Sequence, residues 1–151
     1  MKKIIVPTLT ILCLLPCTNV NVTASADELN STSNTSVYST GLISNYNLSI
    51  SCNGTSLLFT GVTGCSSTMK KIGFTSIVIQ RSSNNATWKD YISVNDIVKE
   101  DVAAYTVSKK NLGTVPSGYY YRITCKHYAK ENGVFGSSES ISNTSNSVYI
   151  S

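Results

Sequence analysis

The sequence predicts an all-β protein, an antiparallel sandwich of seven short strands. From Tyr46 onward apolar and polar residues alternate with a period of two, which is typical of half-buried strands. Helical spacing is hard to find, and turn residues separate the alternating segments. The predicted strands are 46–51, 56–62, 74–81, 87–94, 103–108, 119–127 and 147–151.

Turn residues support this division of the chain. Asn53 and Gly54 are a strong two-residue turn signal between the first two strands, and 82-SSNNA-86 suits a hairpin loop between the third and fourth. The segment 95-NDIVKED-101 is the weakest part of the pattern and favours a short helical turn. Seven strands with turns at this spacing indicate a sandwich.

The first residues predict export. Lysines at positions 2 and 3, an apolar run and the small residues 24-ASA-26 follow the order of a secretory signal peptide, spanning 1–26 and cleaved after Ala26. The alternative is lipid attachment to the cysteine of 14-LLPC-17, but Pro16 occupies a position that takes a small residue at such sites. We therefore expect a secreted, extracellular protein without membrane insertion.

Two segments follow the signal. Residues 27–45 are rich in Ser, Thr and Asn and poor in aliphatic residues, which predicts a flexible polar lead-in. Residues 46–151 form the predicted β-sandwich domain, of a size that supports one core.

Charge and motifs limit the function classes. The chain has 12 basic and 8 acidic residues, and loss of Lys2 and Lys3 with the signal lowers the net charge from +4 to +2, too little to indicate nucleic-acid binding. The acidic residues are scattered, and no phosphate loop, zinc spacing or Ser-His-Asp set is present. We expect neither an enzyme nor a metal or cofactor site.

The segment 117-SGYYYRITCKHYAKE-131 is crowded with reactive side chains. Cys125 and His127 would share a face of a strand, as a thiol and its base would. Such a pair also needs an orienting group, an oxyanion pocket and room for substrate, and the sequence supplies none of these. A structural role for both residues is therefore the preferred interpretation.

The second half of the chain resembles a fibronectin type III domain, an immunoglobulin-like sandwich, of bacterial secreted proteins. The resemblance is carried by 77-IVIQRSSNNATWKDY-91, 105-YTVS-108 with Leu112, 116-PSGYYYRITCKHYA-129 and 147-SVYI-150. The whole chain, with its signal and polar lead-in, is similar to small secreted proteins of gut-type Gram-positive bacteria.

This resemblance assigns roles to the sixth strand. Tyr119 would be the tyrosine whose hydroxyl bonds back to the backbone at the corner between the sheets. Tyr119, Tyr121, Ile123 and Cys125 would point inward, and Tyr120, Arg122, Thr124 and Lys126 outward. The outward aromatic and basic residues, with Trp88 and Tyr91, are the predicted binding surface.

The resemblance also implies a disulfide. In this fold the loops after the second and sixth strands lie at the same end, which would bring Cys65 to Cys125. Cys52, beside the Asn53-Gly54 turn, would lie about 20 Å away and remain a free thiol. It is either simply a buried thiol, which is the preferred interpretation, or the link in a homodimer.

Three functions remain open. The first is a secreted binding module for a cell-surface glycan, wall polymer or extracellular protein. The second is a diffusible effector such as a bacteriocin, toxin or inhibitor. The third is structural self-assembly through a disulfide of Cys52 or through exposed edge strands.

Overall fold

The computed structural model describes the strand backbone of Val37–Tyr38 and residues 41–151. The predicted signal peptide and most of the predicted lead-in lie outside these residues. The described part is all-β and contains no helix that could span a membrane. Its ten strands are β1 (Val37–Tyr38), β2 (Ile43–Asn53), β3 (Ser56–Met69), β4 (Lys71–Ser82), β5 (Lys89–Val94), β6 (Ile97–Lys99), β7 (Val102–Thr114), β8 (Tyr119–Lys130), β9 (Ser138–Thr144) and β10 (Val148–Ile150).

The strands form two antiparallel sheets. The first has the order β1-β2-β3-β7, and the second has the order β10-β8-β4-β5. In the second sheet β6 also pairs with β4, and β9 also pairs with β8. Strand β8 is therefore bordered by β4 on one side and by β10 and β9 in turn on the other, which places it at the centre of the six-stranded sheet.

The core lies between the two sheets. Phe59 of β3 and Phe74 of β4 meet across it in an edge-to-face contact, with ring centroids 4.9 Å apart. Gly61 makes room for this packing, because a Cβ there would lie 2.7 Å from the Phe74 ring. The buried side chains of the main cluster come from both sheets and from Val115, just after β7: Leu48, Ile50, Leu57, Phe59 and Val107 from the first sheet, and Phe74, Ile77, Ile79, Ile97, Tyr121, Ile123, Cys125, Val148 and Ile150 from the second. This is the packing of a sandwich.

The predicted all-β antiparallel character is confirmed, but the number of strands differs. Residues 97–99 form β6 instead of a helical turn, because Ile97 is buried opposite Phe74. Residues 138–144 form β9, which carries few apolar residues and owes its place to pairing with β8. Strand β2 begins at Ile43, three residues before the predicted domain boundary, because Ile43 is fully buried opposite Cys65.

Candidate functional site

The outer face of the six-stranded sheet carries a row of aromatic and polar side chains. Tyr149 of β10 pairs with Tyr120 of β8, and their ring centroids are 4.9 Å apart. The next residue on the same face of β8 is Arg122, which pairs with Gln80 of β4. We call the following residues the outer stripe: Trp88, Asp90, Gln80, Arg122, Tyr120 and Tyr149.

Arg122 is the centre of the outer stripe. Its Nε donates to Gln80 Oε1 at 2.8 Å, and its guanidinium carbon lies 4.3 Å from the centroid of the Trp88 ring. Gln80 Nε2 in turn donates to Asp90 Oδ1 at 2.8 Å. A guanidinium held by a ring and an amide has lost much of its rotational freedom before any ligand binds.

A side-chain-capped loop positions Trp88. Residues 83–88 connect β4 to β5, and Asn84 Oδ1 accepts from the backbone N–H groups of Ala86 and Thr87 at 3.0 and 2.8 Å. The Ser82 hydroxyl also donates to Asn84 Oδ1, at 2.9 Å. An Asn that replaces backbone partners in this way orders a short loop. The position of Trp88 is therefore determined by residues that are close to it in the sequence.

Other cations extend the basic character of this face. Lys126 is exposed on the same side of β8, four residues from Arg122, about 13 Å along the strand. Lys71 and Lys130 are direct cross-strand partners still further along. Within residues 41–151 the recorded ion pairs are those of Lys70 with Glu100 and Asp101, so none involves a cation of this face.

Tyr91, predicted to belong to the outward surface, lies on the other side of its strand. A bulge between the pairs Ile79–Ile92 and Gln80–Asp90 leaves Tyr91 as the extra residue, packed against the core and 6.1 Å from the Tyr121 ring. There it contacts the Arg81 guanidinium, whose carbon lies 4.5 Å from the Tyr91 centroid.

The backbone-bonded tyrosine is Tyr121, not Tyr119. The Tyr121 hydroxyl donates to the carbonyl oxygen of Pro116 at 2.7 Å, and the residue is fully buried. Burial raises the pKa of Tyr121, and Arg81 opposes this rise. Tyr119 is half-buried and lies against Arg81 at 4.6 Å instead. Both tyrosines share one face of β8, so alternation alone did not distinguish them.

His127 is held in the core by hydrogen bonds on both ring nitrogens. Nδ1 lies 2.8 Å from Thr63 Oγ1, and Nε2 lies 3.3 Å from Asn143 Nδ2. Because the Thr63 hydroxyl donates its hydrogen to Gly73 O at 3.1 Å, we assign the imidazole hydrogen to Nδ1. Burial lowers the pKa of His127 to about 4, against a smaller raising effect of its bond to the Val62 backbone.

Asn143 thus completes a Cys-His-Asn set that the sequence did not predict, since Asn143 pairs with Cys125 in the sheet. The thiol of Cys125 is only 3% exposed, and burial raises its pKa to about 12. A reactive thiolate beside an imidazolium needs the opposite shifts, a lowered thiol pKa and a raised imidazole pKa. The set is a satisfied part of the core.

The predicted Cys65–Cys125 disulfide is absent, and both thiols are free. The Thr63–His127 bond aligns β3 with β8, and Cys65 lies two residues beyond Thr63, near Ala129. Cys125 lies two residues before His127, so the thiols are offset by about four residues, roughly 13 Å. That exceeds the Cα separation of about 7 Å that a disulfide tolerates. The prediction failed because Cys65 lies within β3 and not in the loop after it.

The third thiol, Cys52, was expected to be buried, and this prediction is wrong because the residue lies at the exposed end of β2. Cys52 is an exposed free cysteine near the end of β2, beside the turn of Gly54 and Thr55. In contrast, burial and the charge of Glu139 raise the pKa of Cys65 to about 11.

A second surface feature is an apolar loop tip between β8 and β9. Val134 and Phe135 are 95% and 98% exposed. The loop beneath them is closed by Glu131 N–H to Ser137 O at 2.9 Å and by Ser137 N–H to Glu131 Oε2 at 3.1 Å. Two large apolar side chains on an ordered tip are unusual on a soluble surface. The sequence pattern 133-GVFG-136 is the signal that could have indicated it.

Sequence reasoning also missed Gln80, Asp90, Tyr149 and Arg81. The outward position of Tyr149 could have been predicted from the alternation of 147-SVYIS-151, whereas the positions of the other three depend on which strands become neighbours. Among residues 41–151 no three His, Cys, Asp or Glu side chains lie close enough together to hold a metal ion.

Comparison of the chain with protein-family models, with curated proteins and with solved structures found no match.

Proposed function

We propose that this chain is a secreted, non-enzymatic binding module that recognises an anionic cell-surface glycan or wall polymer through the outer stripe. One observation carries the proposal. The stripe joins Arg122, Tyr120 and Trp88 on one sheet face, and no cation of that face has a recorded carboxylate ion pair within residues 41–151. Aromatic rings stack on sugars, and cations without a protein carboxylate are available to an anionic ligand.

The geometry favours an extended ligand over a small one. The outer stripe crosses four neighbouring strands, from Tyr149 on β10 to Trp88 beside β5. Adjacent strands are separated by about 4.8 Å, so the stripe spans about 14 Å, the length of a few sugar units. Lys126 would add a more distant charge contact.

Retention on purified cell wall tests the proposal. We expect Tyr120→Ala/Arg122→Ala to bind about 10-fold more weakly than the native protein, which is about 1.4 kcal/mol. Lys110→Ala, which removes an exposed cation from β7 of the other sheet, is the matched control and should bind as the native protein does. The proposal would be rejected if neither the native protein nor the double variant is retained on cell wall. It would also be rejected if Lys110→Ala weakens binding as much as Tyr120→Ala/Arg122→Ala does.

We further propose that the sandwich is immunoglobulin-like, of the fibronectin type III kind. The Tyr121 hydroxyl bonded to the backbone five residues upstream supports this, since such a tyrosine corner recurs in these domains. The extra strands β1, β6 and β9 would then be additions to a seven-stranded frame.

A second function is favoured by a separate observation. The apolar tip of Val134 and Phe135 suits a diffusible inhibitor or toxin that inserts a loop into an apolar pocket of a target protein. Large apolar side chains that are almost fully exposed gain most from such burial, about 25 cal/mol for each Å² removed from water.

Growth inhibition of bacterial cultures by purified protein separates the two functions. The effector function predicts inhibition that Val134→Ser/Phe135→Ser abolishes, while Ile92→Thr, which alters another exposed apolar residue, leaves it intact. Tyr120→Ala/Arg122→Ala should not affect inhibition. A native protein without inhibitory activity counts against the effector.

A further inference from the structure

A cleft of about 290 Å³ lies beside the β4–β5 hairpin. It is lined by Arg81, Ser82, Ser83, Thr87, Lys89 and Tyr119. Arg81 and Lys89 alternate with Gln80 and Asp90 along their strands, so they lie on the opposite side from the outer stripe. The cleft is therefore a separate site.

Two tyrosines hold the Arg81 side chain in place. Its guanidinium carbon lies 4.5 Å from the centroid of Tyr91 and 4.6 Å from that of Tyr119. Each ring contact is a cation–π interaction. A planar donor group fixed in this way pays little further entropy when it binds an oxyanion.

The cleft carries two positive charges and no compensating carboxylate. Arg81 and Lys89 are direct cross-strand partners, an arrangement that is unfavourable for like charges. No carboxylate lines the cleft, and neither cation has a recorded ion pair within residues 41–151. Asp90, next to Lys89 in the chain, faces the other way and accepts from Gln80. A bound anion would turn this repulsion into two attractions.

We propose that this cleft binds a phosphate group carried by an organic ligand. Ser83, Thr87 and Tyr119, each of which carries a hydroxyl, line the same cleft as the two cations. A tetrahedral phosphate has more oxygens to receive these donors than a planar carboxylate has, and it carries more charge. This site goes beyond the outer stripe and does not depend on the proposed function.

The test is a titration of the native secreted protein with glycerol 3-phosphate, inorganic phosphate and acetate at constant ionic strength, followed by the backbone amide resonances in NMR. We expect saturable shifts confined to residues 81–89 and Tyr119, tightest with glycerol 3-phosphate and weakest with acetate. Arg81→Gln should weaken glycerol 3-phosphate binding about 10-fold or more. Lys126→Gln, which removes a cation of the outer face, should change it by less than about twofold.

Lys89→Gln provides a second variant, because Lys89 has none of the ring contacts of Arg81 and its loss leaves the core intact. It should also weaken binding while the spectrum remains that of the folded protein. Absence of saturable shifts, acetate binding as tight as phosphate, or equal losses in Lys126→Gln would each overturn the proposal. Binding of inorganic phosphate but not of glycerol 3-phosphate would overturn the proposal that the phosphate group is part of a larger ligand, and would indicate a site for the free ion.

Discussion

Strand β8 carries aromatic, cationic and titratable side chains along its whole length, but its two halves use them differently. In the first half, Tyr119 to Arg122, polar atoms reach the surface or the rim, where Arg81 and Arg122 lie against aromatic rings. In the second half, Cys125 to Ala129, the inward residues are buried, and the imidazole of His127 is surrounded by Thr63, Asn143 and aromatic rings.

Burial depth, more than residue type, decides the chemistry of these side chains. The thiol and imidazole of the second half have shifted pKa values that keep both neutral, whereas Arg122 of the first half lies on the outer face and makes no recorded ion pair within residues 41–151. The thiol and imidazole are thus enclosed in the core, and the first half of the strand carries the surface on which we propose that ligands bind.

The largest effect should come from removing the partner of His127. Thr63→Val deletes the hydroxyl that donates to Gly73 O and faces His127 Nδ1, so two buried groups each lose this partner. We expect a loss of about 2–4 kcal/mol in the free energy of unfolding, at about 1–3 kcal/mol for each group. Thr63→Ser keeps the hydroxyl and should lose about 1 kcal/mol or less in urea unfolding. Equal losses would show that packing, not the bond, matters.

Acid should lower the stability of the fold through His127, in the second half of β8. The folded-state pKa of His127, about 4, lies below the unfolded value of 6.5, so neutral His127 stabilises the fold above pH 6.5 and this contribution is lost as pH falls toward 4. Between pH 7.5 and pH 5 we expect a loss of about 2 kcal/mol, measured by urea unfolding.

A direct readout accompanies that measurement. The His127 ring resonances of the folded protein should not titrate above pH 5, and a folded His127→Gln variant should lose most of the pH dependence. A midpoint near 6.5 in the native protein would contradict the burial argument.

A smaller effect is expected in the first half of β8. Tyr121→Phe removes the hydroxyl bonded to Pro116 O and should cost about 1 kcal/mol. Tyr119→Phe is the matched control, because it removes a hydroxyl from the same face of the strand without that bond, and should change stability by less than about 0.5 kcal/mol. A larger stability loss in Tyr119→Phe than in Tyr121→Phe would indicate that Tyr119 is the tyrosine bonded to the backbone at the corner between the sheets.

The smallest effect on stability is expected at Cys52. Cys52→Ser should leave the free energy of unfolding, measured in urea, within about 0.5 kcal/mol of the native value, since the side chain is exposed.

The three cysteines should also differ in reactivity. In the native protein at pH 8, a thiol reagent should label Cys52 quickly and the other two cysteines slowly, because burial raises their pKa values to about 11 and 12. A reducible dimer lost in Cys52→Ser would support assembly through this thiol; rapid labelling of Cys125 would contradict its burial.

Much of the fold was predictable because alternation and turn chemistry are local. Inward Ile123 and Cys125 and outward Lys126 follow from a period of two, and the β4–β5 loop follows from 82-SSNNA-86. Strand β9 was not predictable, because its residues are mostly polar and small and it forms by pairing with β8. Of the outer stripe, the sequence predicted Tyr120, Arg122 and Trp88, while Gln80 and Asp90 joined it only through neighbouring strands.

The all-β antiparallel class, most of the strands and the two faces of β8 follow from the amino-acid sequence, since each depends on residues adjacent in the chain. Which side chains meet between and across strands depends on how the sheets pair and pack. The alignment of β3 with β8 joined Thr63 to His127 and separated Cys65 from Cys125. A one-residue bulge turned Tyr91 toward Arg81. Sheet packing and bulges depend on contacts between distant segments, which no local period encodes.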